Sequence, residues 1–236
     1  SDLRRTNTQL STYTKSSSTL LIFTQKGLVH KLPSYMVQNI NKKGTCIDTL
    51  LDNFNIDDKI VEIMSVDNFS EEISIYLFTK KGFTKRTKLC ELEGDFNVAT
   101  VYKLKTEEDK LTFITINKDN VDKDVIIVTK KAMCIRFNAN TINFMGKGAS
   151  GVTGISLKEN DEVIFVNLVD SKVKNEEVEN DIIAIGDKNL SLTVSSFKGE
   201  NKIIRLYDIN VQNRAGRGKN LTSSLIDDYV ENVILK

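Results

Sequence analysis

The chain repeats itself, and that constrains its fold more than any other property. Three stretches superimpose: LLIFTQKGLVHKL at 20–32, IYLFTKKGFTKRT at 75–87 and VIIVTKKAMCIRF at 125–137. A looser fourth copy, LTVSSFKGENKIIRL, lies at 192–206. The turn position recurs after 55 residues (Gly27 to Gly82), then 50 (Gly82 to Ala132), then 67 (Ala132 to Gly199). A charged insert, SKVKNEEVEN at 171–180, lengthens the last interval. Repeats of this length fit a β architecture assembled blade by blade.

Each copy is followed by an acidic turn and an apolar run: DDKIVEIMSV at 57–66, EEDKLTFITI at 107–116, ENDEVIFVNLV at 159–169 and DDYVENVILK at 227–236. These runs are short, rich in Ile, Val, Phe and Leu, and bounded by turn residues, so they read as strands. Long segments with a 3.6-residue period are absent. The chain is therefore all-β, with about four strands per repeat. The repeats fall at approximately 1–16 (partial), 17–69, 70–120, 121–178 and 179–236. The single proline, Pro33, comes just after a strand and interrupts nothing central.

Within each hairpin, T-x-K-G suits a turn whose last residue is left-handed, a conformation glycine adopts without a Cβ penalty. Gly27 and Gly82 fit that role. Ala132 breaks the pattern, so the third hairpin is expected to use a different turn or to carry strain.

The charge in these hairpins is also in register. Lys31, Arg86, Arg136 and Arg205 are read as one equivalent position in the four repeats, with Arg4 or Arg5 matching it in an N-terminal remnant, LRRTNTQL. Lys26, Lys80, Lys81, Lys130, Lys131 and Lys198 lie at or near the turn tips, and Lys85, Lys88 and Lys202 extend the set along the exit strands. If the repeats surround an axis, equivalent positions form a belt. Basic residues would then gather on one surface and the acidic turns on another, giving a nearly neutral chain, net charge +1, a positive track. Lysine-protected strand edges give the same residues a purely structural role. A belt with no reading helix points to contact with phosphates and to binding that weakens steeply with salt. On a curved surface it favours bending or wrapping of duplex DNA. A protein-interaction module whose basic rim binds an acidic partner is the alternative.

The remaining features exclude other classes. Hydrophobic residues make up 40% and charged residues 28% of the 236-residue chain, as in a soluble protein with a substantial core. No apolar run reaches about 18 residues and the N-terminus lacks a signal-like stretch, so a cytoplasmic location and no membrane partner are expected. Cys46, Cys90 and Cys134 are far apart and form no CxxC, which disfavours disulfides and zinc. His30 is the only histidine. Acid pairs such as Asp57-Asp58 and Asp227-Asp228 sit in turns, where hairpin caps outnumber acid/base pairs. No catalytic residue and no metal ligand is assigned. Two glycine-rich loops, GKGASGVTG with Lys147 and QNRAGRG with Arg214, Arg217 and the following Lys219, combine backbone freedom with charge that suits a phosphate. Neither has P-loop spacing.

The repeated FTxKGxxxR/K hairpins, IRFNANTINFMGKGASGVTGISL at 135–157 and QNRAGRG at 212–218 together resemble the C-terminal domain of the A subunit of bacterial type II topoisomerases, gyrase and topoisomerase IV. The resemblance covers essentially the whole chain. It implies a single β-pinwheel DNA-binding domain over 1–236, a propeller-like disc with about four full blades plus the partial one, whose blades exchange a strand and whose basic rim bends DNA. It further implies that catalysis lies elsewhere in the enzyme. The strand-cleaving tyrosine and metal region are upstream and in the partner subunit, while ATP and Mg2+ are used by the holoenzyme. The partners implied are duplex DNA, the ATPase B subunit, and the rest of the A subunit, in the nucleoid, with the isolated domain a monomer. Gyrases carry a box, Q-R-R-G-G-K/R-G, in the first blade. Here Gln212, Asn213, Arg214, Ala215, Gly216, Arg217 and Gly218 form a degenerate copy in the last repeat, and the N-terminal stretch has none. That absence, with the phrase IVEIMSVDNF, favours topoisomerase IV over gyrase.

Overall fold

The computed structural model describes residues 14–15, 17–38, 46–171, 190–222 and 225–236. Arg4, Arg5 and nearly all of the 171–180 insert lie outside the described residues. The first hairpin is β1 (Thr19–Thr24) with β2 (Leu28–Pro33), and β3 (Ile60–Val66) pairs with the other edge of β1. The second copy supplies β4 (Ile73–Thr79), β5 (Phe83–Lys88), a short β6 (Val98–Thr100) and β7 (Leu111–Lys118). The third supplies β8 (Lys123–Thr129), β9 (Met133–Asn138), β10 (Val152–Thr153) and β11 (Val163–Asp170). The fourth supplies β12 (Ser191–Ser196), β13 (Asn201–Arg205), β14 (Lys219–Asn220) and β15 (Val230–Leu235). Among the described residues helix is confined to one turn at Tyr35–Gln38 and to short 3-10 turns.

All the pairings between these strands are antiparallel, in sheets ordered β3-β1-β2-β6, β7-β4-β5-β10, β11-β8-β9-β14 and β15-β12-β13. The expected four strands per repeat are present along the chain in the second, third and fourth copies, but no four-stranded sheet is built from one repeat alone. Every fourth strand belongs to the following repeat: β6 closes the first sheet, β10 the second and β14 the third. Among the described residues the last sheet has three strands. The chain thus forms an all-β, propeller-like assembly of modules that each donate a strand backwards. Strands β3, β7, β11 and β15 touch in series, so they lie toward the axis and the donated strands lie at the perimeter.

The apolar runs of β4 and β8 are continuous because both of their faces are covered. Ile75 and Leu77 join a core with Leu21, Phe23 and Val29 of the first module. The alternate residues Tyr76 and Phe78 join Val125, Ile127, Ile135 and Phe137 of the third. In the same way Ile126 and Val128 pack against Leu192 and Val194. In β12 burial alternates strictly, with one face in the core, which is why the fourth copy reads as the most polar.

Each hairpin closes with one turn chemistry. The carbonyls of Thr24, Thr79, Thr129 and Ser196 accept the N–H of Gly27, Gly82, Ala132 and Gly199. The hydroxyl oxygens of the same four residues accept the N–H of Leu28, Phe83, Met133 and Glu200. Gly27, Gly82 and Gly199 have φ of 82°, 90° and 93°, and Ala132 adopts the same region at 63°. The third hairpin therefore keeps the turn and carries the strain, which for an L residue costs about 1–2 kcal/mol. The acidic turns are structural caps: Asp58, Asp109, Asp161 and Asp228 each accept two backbone N–H groups through Oδ1, one from the hairpin tip and one from the next residue.

Candidate nucleic-acid interface

The hairpin tips carry a true fourfold row. Lys26, Lys81, Lys131 and Lys198 all immediately precede the left-handed turn residue, and all are exposed. The Asp caps bring the acidic turns to the same end of the sheets, however. Lys81 Nζ is 3.7 Å from Glu108, and Lys80 and Lys130 meet Glu162 at 3.0 and 3.7 Å. Lys131 and Lys198 donate to the carbonyls of Glu159 and Ile226. The expected separation of basic and acidic surfaces is therefore not found at the tips.

The strand register expected to form an exposed belt turns inward instead. Arg136 is fully buried; it pairs with Asp124 at 2.8 Å and donates to the carbonyls of Leu206 and Asp170. Arg86 is buried beside Tyr76 and Asn140, with its guanidinium 3.7 Å from the centre of the Phe144 ring. Lys85, one residue earlier, is also fully buried. None of the three presents its charge to a phosphate at the surface. Arg205 does not share their register. Counting from the turn, that place belongs to Ile203, paired with Thr193, while Arg205 corresponds to Lys88. Arg205 is exposed and forks onto Asp208 at 2.9 and 3.2 Å, and Lys88 is half-buried between Asp119 and the Phe144 ring.

The physical reason is the strand exchange. Backbone groups of Lys31, Arg86 and Arg136 bond to the donated segments, to Asn97, Met145 and Gln212 in turn. A side chain that would be exposed on an isolated hairpin edge is thereby covered. Lys31 keeps partial exposure. Burial first, then the nearby Lys147 ammonium, push its amine below the usual lysine range.

Free positive charge sits instead on the donated segments. Residues 145–151 and 212–218 are one structural loop in two modules, because Val152 and Lys219 occupy matching places opposite Thr84 and Cys134. In the first copy Lys147 lies 4.4 Å from the centre of the Phe96 ring, which Lys31 also approaches at 4.3 Å. In the second copy Arg214 donates to the carbonyls of Thr141 and Thr153 and so ties that loop to the preceding segment. Its glycines fit against protein, since a Cβ on Gly218 would meet the Cys134 carbonyl at 2.5 Å. Arg217 and Lys219 are exposed, and among the described residues no acid pairs with them. Lys202, also exposed, donates to the Leu221 carbonyl. Lys103 and Lys105 join the band: Lys103 is exposed, and Lys105 lies 4.3 Å over Phe83. Sequence reasoning missed both, along with Phe96 and Phe144, although the K-x-K after β6 was available as a signal.

The resulting band follows the perimeter from Lys31 and Lys103 through Lys147 to Arg214, Arg217 and Lys219. Acids interrupt it at Glu91, Glu93, Asp95 and Asp208. Lys31 and Lys147 rest on the Phe96 ring and Arg214 on two backbone carbonyls, contacts that pre-order these cations without an ion pair. No group of three or more His, Cys, Asp or Glu suited to a metal ion occurs among the described residues.

This fold and rim define a strand-exchanging β-propeller of the kind found in the A subunits of type II topoisomerases. A family model, DNA gyrase C-terminal domain, beta-propeller, matches residues 18–67, 74–118, 123–170 and 202–231, and the chain belongs to that family. It is 30% identical over 205 residues to the DNA gyrase A subunit of Staphylococcus epidermidis, covering 84% of this chain and 21% of that protein. With the DNA gyrase A subunit of Halalkalibacterium halodurans it is 34% identical over 146 residues, 61% of this chain and 17% of that one. The chain thus spans about a fifth of the length of these relatives. Its fold matches the crystal structure of the C-terminal domain of DNA topoisomerase IV at a TM-score of 0.78, with 21% identity over 94% of this chain and 64% of that one. It matches a DNA gyrase A C-terminal domain at 0.54, with 18% identity over 93% of this chain and 82% of that one.

Proposed function

We propose that this domain binds duplex DNA along its perimeter band and bends it for a type II topoisomerase, contributing no catalytic residue of its own. The observation that carries this reading is the run of uncompensated cations on consecutive donated segments, with Lys103, Lys147, Arg217 and Lys219 exposed or half-exposed. Such a run contacts phosphates without reading bases, and binding releases counterions. The names of the relatives, gyrase and topoisomerase IV, support the same assignment.

In this reading the domain works with the ATPase B subunit, beside the rest of its own A subunit, in the cytoplasm at the nucleoid. ATP and Mg2+ act outside this chain. A topoisomerase IV-like role fits better than a gyrase-like one, because the loop 212–218 departs from the gyrase box at Asn213 and Ala215 and its Arg214 is engaged by two carbonyls.

Titration of linear duplex DNA across a salt series tests the binding. Affinity should fall steeply with salt, and binding that is absent at low salt or insensitive to salt refutes the reading in favour of an acidic protein partner. Ligation of nicked plasmid with the domain bound tests the role. No shift in linking number is expected, and a positive-writhe shift would make the domain gyrase-like.

A further inference from the structure

Lys85 is a lysine with no surface, in the middle of β5 of the second module. Its ammonium has three N–H groups, and three carbonyls receive them: Gly146 at 2.9 Å, Lys147 at 2.7 Å and Ala149 at 3.3 Å. All three belong to the loop that carries Lys147 to the perimeter. The geometry is that of a cation bound in a ring of carbonyls, with the cation covalently attached to the neighbouring strand. The loop is closed from its other side by the Glu91 carboxylate, which accepts the Lys147 N–H at 2.7 Å, and by the Ala149 N–H donating to the Gly146 carbonyl.

We propose that Lys85 is a positioning residue for the DNA-contacting loop 146–150, its ammonium serving as a fixed internal cation that holds the loop carbonyls inward and sets Lys147 over Phe96. The contact of Lys147 with DNA rests on the function proposed above; the ordering of the loop by Lys85 does not.

The matching loop in the next module shows that such a loop does not need this device. There the residue equivalent to Lys85 is Ile135, whose Cδ1 lies 3.6 Å from where a Cβ on Gly216 would stand. That loop is held by backbone bonds, from the Ser156 N–H to the Gly216 carbonyl and from the Ala215 N–H to the Gly154 carbonyl, and by Arg214. An apolar residue is thus compatible with the strand itself. What Lys85 adds is control of its particular loop. A buried ion retained for specificity need not stabilise the fold, and an apolar replacement of similar volume is often neutral.

The test compares the intact chain with Lys85→Met, Lys147→Met and the double variant, with Lys59→Met as an exposed control outside the band. Amide exchange and affinity for linear duplex DNA are both measured. Protection of the Lys147 and Ala149 amides should fall at least about tenfold in Lys85→Met while the other modules stay protected. DNA affinity should fall by the same factor as in Lys147→Met, with no further loss in the double variant, because one effect passes through the other. Lys85→Gln, which keeps N–H donors on a shorter chain, should retain part of the protection. Unchanged loop protection in Lys85→Met overturns the proposal. So does a loss of protection spread over all modules, or failure to fold, since Lys85 would then support the module as a whole. If the unaltered chain binds no duplex DNA, the proposed function fails, while the exchange data still decide the role of Lys85.

Discussion

The Arg136 guanidinium donates to the Asp124 carboxylate at 2.8 Å with both side chains withdrawn from solvent. Arg136 also bonds to carbonyls 70 and 34 residues away, at Leu206 and Asp170. It therefore clips the third module to the fourth and cannot be spared for DNA. Replacing it alone leaves Asp124 as a buried carboxylate without its main partner, which typically costs about 3–5 kcal/mol. Arg136→Met should lower the stability by that amount, and Arg136→Met with Asp124→Leu should recover most of it. Chemical denaturation followed by circular dichroism decides this. A single variant as stable as the parent would show that the pair is dispensable.

At the perimeter the opposite behaviour is expected. Lys147, Arg217 and Lys219 are at least partly exposed and make no ion pair among the described residues. Charge reversal at all three should change stability by less than about 1 kcal/mol, as surface substitutions do. It should weaken duplex binding and reduce the slope of log affinity against log salt by roughly one for each phosphate that is no longer neutralised. Reversal at the tips, Lys81 and Lys131, should cost less affinity because neighbouring acids already offset that charge. Equal losses from tips and perimeter would return the interface to the tips.

The hairpins, their turns and the axial strands were legible in the sequence because each is a local pattern, repeated. The donated strands were not. Val152-Thr153 and Lys219-Asn220 are two residues long, and nothing local reveals that they pair with the preceding module. The misplacement of the basic belt follows from the same gap. On a strand, a charged residue among apolar neighbours reads as an exposed edge, and Arg86 and Arg136 are covered only by segments more than one strand away. The position of Arg205 was missed for a smaller reason: alignment on the residue type concealed a two-residue offset from the turn that Ile203 fills.

Gly27 provides a check on the turn chemistry. A Cβ there would lie 2.1 Å from the Tyr102 carbonyl oxygen, at a backbone φ of 82°. Both the left-handed conformation and the overlap with a fixed backbone atom oppose any side chain. Gly27→Ala should therefore destabilise the domain by at least about 2 kcal/mol. At Gly199, where a Cβ would meet nothing within 4 Å, the same change should cost only the conformational part, about 1–2 kcal/mol. Thermal melts of the two variants compare the terms directly, and equal losses would mean that the close approach to Tyr102 relaxes freely.

Stability should also depend on pH through Lys85. Burial pushes its amine from 10.5 down to about 8, partly opposed by the nearby Glu91. Tyr102 faces it with a phenol whose own pKa is raised, first by burial and then by Asp109. For a base whose pKa is depressed on folding, the unfolded chain binds the extra proton between the two values, so stability rises as pH climbs from about 8 toward 10.5 and is lost again as pH falls back across that interval. The shift corresponds to at most about 3 kcal/mol. Cys134, raised to about 12 by burial, works in the opposite direction once the unfolded thiol ionises, so the parent alone does not isolate Lys85. The difference between the parent and Lys85→Met does. Denaturation of both proteins at pH 7 and pH 10 should show the parent gaining stability relative to the variant at the higher pH. A difference independent of pH would mean that Lys85 keeps an ordinary lysine pKa, its buried ammonium fully compensated by the three carbonyls of the loop it holds.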